Sequence, residues 1–324
     1  MISVKSKLTA LMVCVLLVVA GAACVMNVIT LREMGNKDAH QLMLLECKTG
    51  QEKLDNKFKS VEQSVFMVST FVHSDLDGLD DVKLQAHLFR VRDIFTKMAN
   101  KTNGILTYYY RIDPEVSQTV KGFWYVFGPE GVREHEVTDI SRYDTRDTSK
   151  LVWFTVPKNT GKAVWLPPYI TENLGAEVIS YNVPVYYQGH FVVVIGIEID
   201  YSEMANTVDS IRLYDKGYAF INDEEGKLIY HPKMDIATLD EKPAVPNGIL
   251  GKGEFVHYTY EGVEKEAVCL ILSNGMRLNL AVPVEELNAD WYRQSIRMVV
   301  ALLGISLAMV MLIKIAVAQI LRYQ

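Results

Sequence analysis

Cysteine is scarce in this chain: there are four in 324 residues, Cys14 and Cys24 inside an uncharged N-terminal run, Cys47 and Cys269 far apart. That spacing excludes a disulfide framework and a thiolate metal knot. The seven histidines are scattered. No His-Glu-x-x-His helix, Gly-x-Ser-x-Gly elbow or phosphate-cradling glycine loop occurs, so neither an enzyme nor a bound cofactor is expected. His231-Pro232 follows a strand and reads as turn chemistry. Asp75-Leu76-Asp77-Gly78-Leu79-Asp80-Asp81 lacks the third ligand and the closing Glu of a calcium loop, so it reads instead as a helix cap at Asp80 or Asp81. Positive charge is not in excess either. Lys and Arg number 33 against 39 Asp and Glu, a net −6. Lys5, Lys7, Lys314 and Arg322 supply +4 of it near the ends, which leaves −10 between them. An acidic middle argues against nucleic acid and anionic lipid surfaces as partners.

Apolar sequence is plentiful. At 49% hydrophobic and 10% aromatic, the chain can build one large or two modest cores. After Lys5 and Lys7 an uncharged run covers 8–31, long enough to cross a bilayer as a helix. Ala20-Gly21-Ala22 and Gly21-Ala22-Ala23-Cys24 resemble processing sites, but the run continues through Val25, Met26, Val28 and Ile29, so a retained anchor is expected. A second run covers 298–321, interrupted only by Lys314, which can snorkel. Trp291 and Tyr292 before it and Tyr323 after it sit as interfacial belts. Lys5 and Lys7 place the N-terminus, 1–7, in the cytoplasm. The stub 322–324 is then cytoplasmic as well and 32–297 extracytoplasmic, with membrane as an obligatory partner.

Between the spans, 32–102 reads as a helical stalk. Leu54, Phe58, Val61, Val65, Val68 and Val72 step by four and three, a heptad-like seam that serves either the chain's own domain or a homodimer. Gly50 is a point where the helix is expected to bend. A second amphipathic run covers 82–98. Strands follow at 105–112 and 123–127, with Tyr108 and Tyr110 on one face and Tyr109 opposite. Asp139 to Asp147 is a polar loop of Asx turns. Strands 178–186 and 191–199 make a hairpin around Tyr187-Gln188-Gly189-His190. After a connecting helix at 201–214, a second set of strands covers 217–221, 227–231, 254–260, 266–272 and 276–283, and 284–297 returns as helix to the second span. The fold class is α+β: a long helix, then a duplicated antiparallel unit at 103–210 and 211–290.

Ahead of the hairpin, Trp153, Phe154, Trp165 and Tyr169 lie among Pro and Gly, in loop-forming sequence that can wall a pocket. Glu198 shares a strand face with Val194 and Gly196, and Asp200 follows on that face. Rings with one carboxylate suit a small cationic or neutral ligand, such as an amine.

The order of parts resembles a bacterial double Cache sensor. The stretches that carry the likeness are Asp139-Ile140-Ser141 through Trp153-Phe154, Gly161 to Tyr169, Ile179 to Tyr186, Gly196 to Asp200, and Gly217 to Ile221 with Tyr230-His231-Pro232. The resemblance implies two tandem PAS-like modules, with a small-molecule ligand held in the membrane-distal one by Trp153, Phe154, Trp165, Tyr169, Tyr181, Glu198, Tyr108 and Tyr110. Amino-acid-binding members place an Arg where Leu151 stands and acids where Thr171 and Glu198 stand. The resemblance also implies a signal passed through the second span to a histidine kinase, cyclic-di-GMP enzyme or chemoreceptor module, beyond Gln324 or on a partner. The alternative is a structural or protein-binding ectodomain without a small ligand.

Overall fold

The computed structural model describes residues 4–320, apart from 172, 237, 238, 240, 247, 248, 250 and 251. Tyr323, expected at the second interface, and Arg322, expected in the cytoplasmic stub, lie outside the described residues. One helix, α1 (Val4–Asp75), runs from the first apolar segment through the whole stalk. At 1.5 Å per residue its 72 residues extend about 108 Å. The helix continues unbroken through Gly50. A Cβ there would collide with Ile211 and sit 3.2 Å from Leu278, so this glycine admits the close approach of the second sheet. Asp80 caps α2 (Asp81–Ala99), accepting from the Lys83 amide at 3.1 Å.

Two antiparallel sheets follow. The first contains β1 (Ile105–Ile112), β2 (Gly122–Gly128), β3 (Gly131–His135), β4 (Val164–Thr171), β5 (Ala176–Tyr187) and β6 (His190–Asp200), in the order β3-β2-β1-β6-β5-β4. The short helix α3 (Val152–Thr160) lies between β3 and β4. A second helix, α4 (Tyr201–Asp209), ends well before Tyr214 and leads to the other sheet. That sheet contains β7 (Tyr218–Asn222), β8 (Leu228–Tyr230), β9 (Lys252–Tyr260), β10 (Val263–Ile271) and β11 (Arg277–Pro283), in the order β8-β7-β11-β10-β9. From β11 the chain passes directly into α5 (Val284–Ile320). Both α1 and α5 contain segments long and apolar enough to cross a membrane.

One continuous core joins both sheets to α1. The seam from Leu54 to Val72 is fully buried inside the single chain, packed with α2 and the first sheet, so it is not left open to a second copy. Nearer the apolar end, Ala39, Met43 and Cys47 of the same helix join Val268, Leu278 and Leu280 of the second sheet. Where α5 meets α1, the Trp291 side chain fills the space over Gly35, and a Cβ on that glycine would lie 2.6 Å from Trp291 Cβ.

Candidate functional site

The face of the first sheet turned away from α1 is only partly covered, and a cavity of about 200 Å³ remains there. Period-two alternation decides which side chains reach it. On β1 the odd residues Thr107, Tyr109 and Arg111 face this side, opposite Glu198, Gly196 and Val194 of β6. Tyr108 and Tyr110 face the other way. Tyr108 stacks on Tyr125 at 5.1 Å and shares a hydrogen bond with Thr96 at 2.9 Å, while Tyr110 bonds to His87 at 2.9 Å. Both belong to the helix-side core, and Tyr109 takes the place on the cavity wall.

Tyr109 lies flat over Gly196, and any Cβ at 196 would come within 3.0 Å of three of its ring and hydroxyl atoms. Its hydroxyl donates to Asn182 Oδ1, whose amide donates to Ser180 Oγ at 2.8 Å. Tyr169 donates to Ser180 at 3.1 Å or to Glu198 Oε1 at 2.7 Å, and Thr107 donates to Glu198 Oε2 at 2.6 Å. Glu198 is thus 3% exposed and held by hydroxyls, with no cation paired to it among the described residues. Burial pushes its carboxyl above the usual range, against the pull of Thr107 and Tyr169. Asp200 does not join it, because its side chain caps α4 by accepting from Ser202 N at 2.8 Å.

A β-bulge explains how Trp165 and Tyr169, four residues apart, reach opposite faces. Pairing of β4 with β5 shifts between Leu166 and Tyr169, across Pro167-Pro168. Two prolines are tolerated there because β4 is an edge strand. Trp165 therefore points to α1, donating from Nε1 to Glu62 at 2.7 Å and packing on Phe58 and Tyr181 at 5.1 Å each, while Tyr169 turns into the cavity. Neither Trp165 nor Tyr181 lines the cavity.

The aromatic pair at 153 and 154 is helical, not loop. Leu151 initiates α3 from a left-handed backbone at φ 46°, and Gly161 closes it at φ 67°. Leu151 lines the cavity, so a strained non-glycine residue sits at the site. Trp153 presents its edge to Tyr109 at 5.0 Å on the cavity wall. Phe154 is buried behind it against Phe191 at 5.8 Å.

Arg111 supplies a positive pole that sequence reading did not assign. Its Nε donates to Thr138 O at 3.2 Å and its Nη1 to the Ile112 and Lys121 carbonyls at 2.8 and 2.7 Å. Nη2 has no hydrogen-bond partner among the described residues, and no carboxylate pairs with this 3% exposed cation. Burial pushes the guanidinium down to about 10, against the pull of Asp139 and Asp113, so it stays charged at neutral pH. The only signal for it was its odd place on β1, shared with Tyr109. Lys150 adds an exposed cation at the rim, where Asn173 bridges to Thr138 Oγ1 at 2.9 Å. The cavity thus holds a buried acid and a buried base on one sheet face, with rings between them.

Comparison with known proteins agrees with this architecture. The ligand-binding domain of the Campylobacter jejuni chemoreceptor Tlp3, in complex with 4-methylisoleucine, aligns with a TM-score of 0.54 at 17% identity, covering 78% of this chain and 94% of that one. The ligand-binding domain of Mlp24 with asparagine gives 0.54 at 18% identity, covering 81% and 98%. At these identities the likeness is one of fold. The methyl-accepting chemotaxis protein PscA of Pseudomonas syringae pv. tomato is 27% identical over 94 residues, which span 29% of this chain and 15% of that protein. A family model for the Cache domain matches residues 33–291, both sheets included, and the chain therefore belongs to the Cache domain family.

Proposed function

We propose that this chain is a two-pass, membrane-anchored bacterial sensor whose first-sheet module lies outside the cytoplasm and binds a small metabolite bearing both an amine and an anionic group. The observation that carries this reading is the pairing of Glu198 and Arg111, a buried carboxyl and a buried guanidinium without ion-pair partners among the described residues, on the wall of one cavity. They stand four residues apart along the β1–β6 register, roughly 13 Å between backbones at 3.3 Å per residue. Both residues line the same cavity. An ammonium at Glu198 and a carboxylate at Arg111 would give each charge the partner it lacks. The rings of Tyr109 and Trp153 would cover the apolar part. An amine or neutral ligand would use only the Glu198 pole. The amino-acid complexes of Tlp3 and Mlp24 lend this ligand class support.

Signalling follows from connectivity. The cavity sheet packs on α1, α1 is continuous with one apolar segment, and α5 leaves β11 for the other. Ligand binding would favour one of two packings of α1 and α5 and shift the spans by about 1–2 Å, toward an output module of chemoreceptor type.

The test is calorimetric titration of the full chain in nanodiscs with amino acids, simple amines and carboxylates. An amino-acid hit that weakens at least about tenfold in both Arg111→Gln and Glu198→Gln is the expected result. A hit indifferent to both variants would refute the assigned poles. Silence across the panel would favour a protein-binding ectodomain.

A further inference from the structure

The second sheet also has a face turned away from α1, and it carries side chains that the sensing cavity does not explain. Alternation sends Ala219, Ile221 and Val268 toward α1 and Tyr218, Phe220, Ala267 and Cys269 to the reverse. Relative to α1, this reverse face corresponds to the one that carries the cavity on the first sheet. Lys265 opens β10 on it and is 4% exposed. Its Nζ donates to Tyr218 Oη at 2.8 Å and lies over the rings of Tyr218 and Tyr260 at 4.3 and 5.0 Å. Lys233, exposed at the rim, reaches the Tyr218 ring from outside at 5.1 Å. His231 packs edge-on to Tyr218 at 5.1 Å and near Tyr260 at 5.7 Å. Burial and the neighbouring Tyr218 push the Tyr258 hydroxyl above the ordinary phenol range.

Two cations, an imidazole and three phenols therefore converge without a buried acid among the described residues. Lys265 forms no ion pair there. Glu261, exposed at the β9–β10 turn, attracts it without forming an ion pair among the described residues. Glu266, the next residue, faces the opposite way and takes His40 and His257 at 2.9 and 3.3 Å. An ammonium has three donors, and Lys265 has one protein acceptor. Burial and Lys233 hold Lys265 below the ordinary lysine range, while burial and both lysines press His231 down to about 4. The patch lacks one negative charge with several acceptor oxygens.

We propose that the reverse face of the second sheet is a separate binding site for a small oxyanion, a carboxylate or phosphate group seated on Lys265, with Lys233 at its rim and the hydroxyls of Tyr258 and Tyr260 around it. It is independent of Glu198 and Arg111, which belong to the other sheet.

The full chain in nanodiscs would be titrated with sodium acetate and with sodium phosphate, at constant ionic strength set by chloride, reading both heat and the thermal midpoint. Saturable binding of at least one of the two is expected, and which one separates the carboxylate from the phosphate source. Lys265→Met should weaken it at least about tenfold. The exposed Lys233→Gln should weaken it about threefold without affecting folding. Glu198→Gln and Arg111→Gln should leave it unchanged. The inference is overturned by no saturation up to about 50 mM, by binding indifferent to both lysine variants, or by binding that follows Arg111 instead.

Discussion

Gly196→Ala is the sharpest single test of the cavity's construction. The added methyl would fall within 3.0 Å of Tyr109 Cζ, Cε2 and Oη, whereas ordinary contact begins at 3.4 Å. The ring must therefore retreat by the order of 1 Å. It cannot slide along the sheet, because its hydroxyl is tied to Asn182 and its flank meets Trp153 at 5.0 Å. Its open direction is outward, into the 200 Å³ cavity. Overpacking of this kind costs about 1–3 kcal/mol, and loss of the buried Tyr109–Asn182 bond adds about 1 kcal/mol. A destabilisation of roughly 2–4 kcal/mol is expected in chemical denaturation, together with weaker ligand binding as the ring invades the cavity. Tyr109→Ala should remove the clash, so the double variant should lose much less on adding the methyl than wild type does. A Gly196→Ala chain within about 0.5 kcal/mol of wild type, or a cycle showing additivity, would refute the reasoning.

Three further outcomes follow from named side chains. His231 is held neutral by burial and the nearby lysines, with a folded value of about 4 against 6.5 when free. The unfolded chain then binds more protons between those values, so stability should fall as pH drops from 6.5 to 4, by roughly 2–3 kcal/mol after allowing for solvent screening, and His231→Gln should flatten that slope in pH-dependent melts. Glu198 has the opposite sign: its folded value is raised, so its contribution is present below the free carboxyl range and fades as pH rises through the folded value. Glu198→Gln should abolish that loss in the same melts. Phe58→Ala empties a fully buried site against Trp165 and should cost about 3–5 kcal/mol by chemical denaturation.

What the sequence disclosed was whatever its periodicity encodes. The seam from Leu54 to Val72, the Asp80 cap and the β5–β6 hairpin are local patterns, and each appears at its expected place. The short strand β3 escaped notice because Gly131–His135 is polar and lies at a sheet edge, with four of its five residues exposed. The site was harder to see. Trp153 and Phe154 looked like loop because Pro157 sits inside their helix and Gly161 ends it. Trp165 and Tyr169 looked like partners until the bulge at Pro167-Pro168 separated them. Gly50 read as a weak point, although its bareness is what lets Ile211 and Leu278 approach the helix. Arg111 carries no motif; only register against β6 shows that it shares a wall with Glu198.

The unbroken course of α1 has a mechanical consequence. A rod of 72 helical residues is a lever about 108 Å long. If the second sheet acts as its fulcrum near Gly50, where Ile211 and Leu278 press on the helix, motion at one arm must reappear, reversed, at the other. With the fulcrum at Gly50 the arm to Val4 is about 69 Å, so a tilt of one degree moves that tip by about 1.2 Å. A small change in how the first sheet grips Phe58 and Val65 therefore needs no relay of side chains to reach the far end.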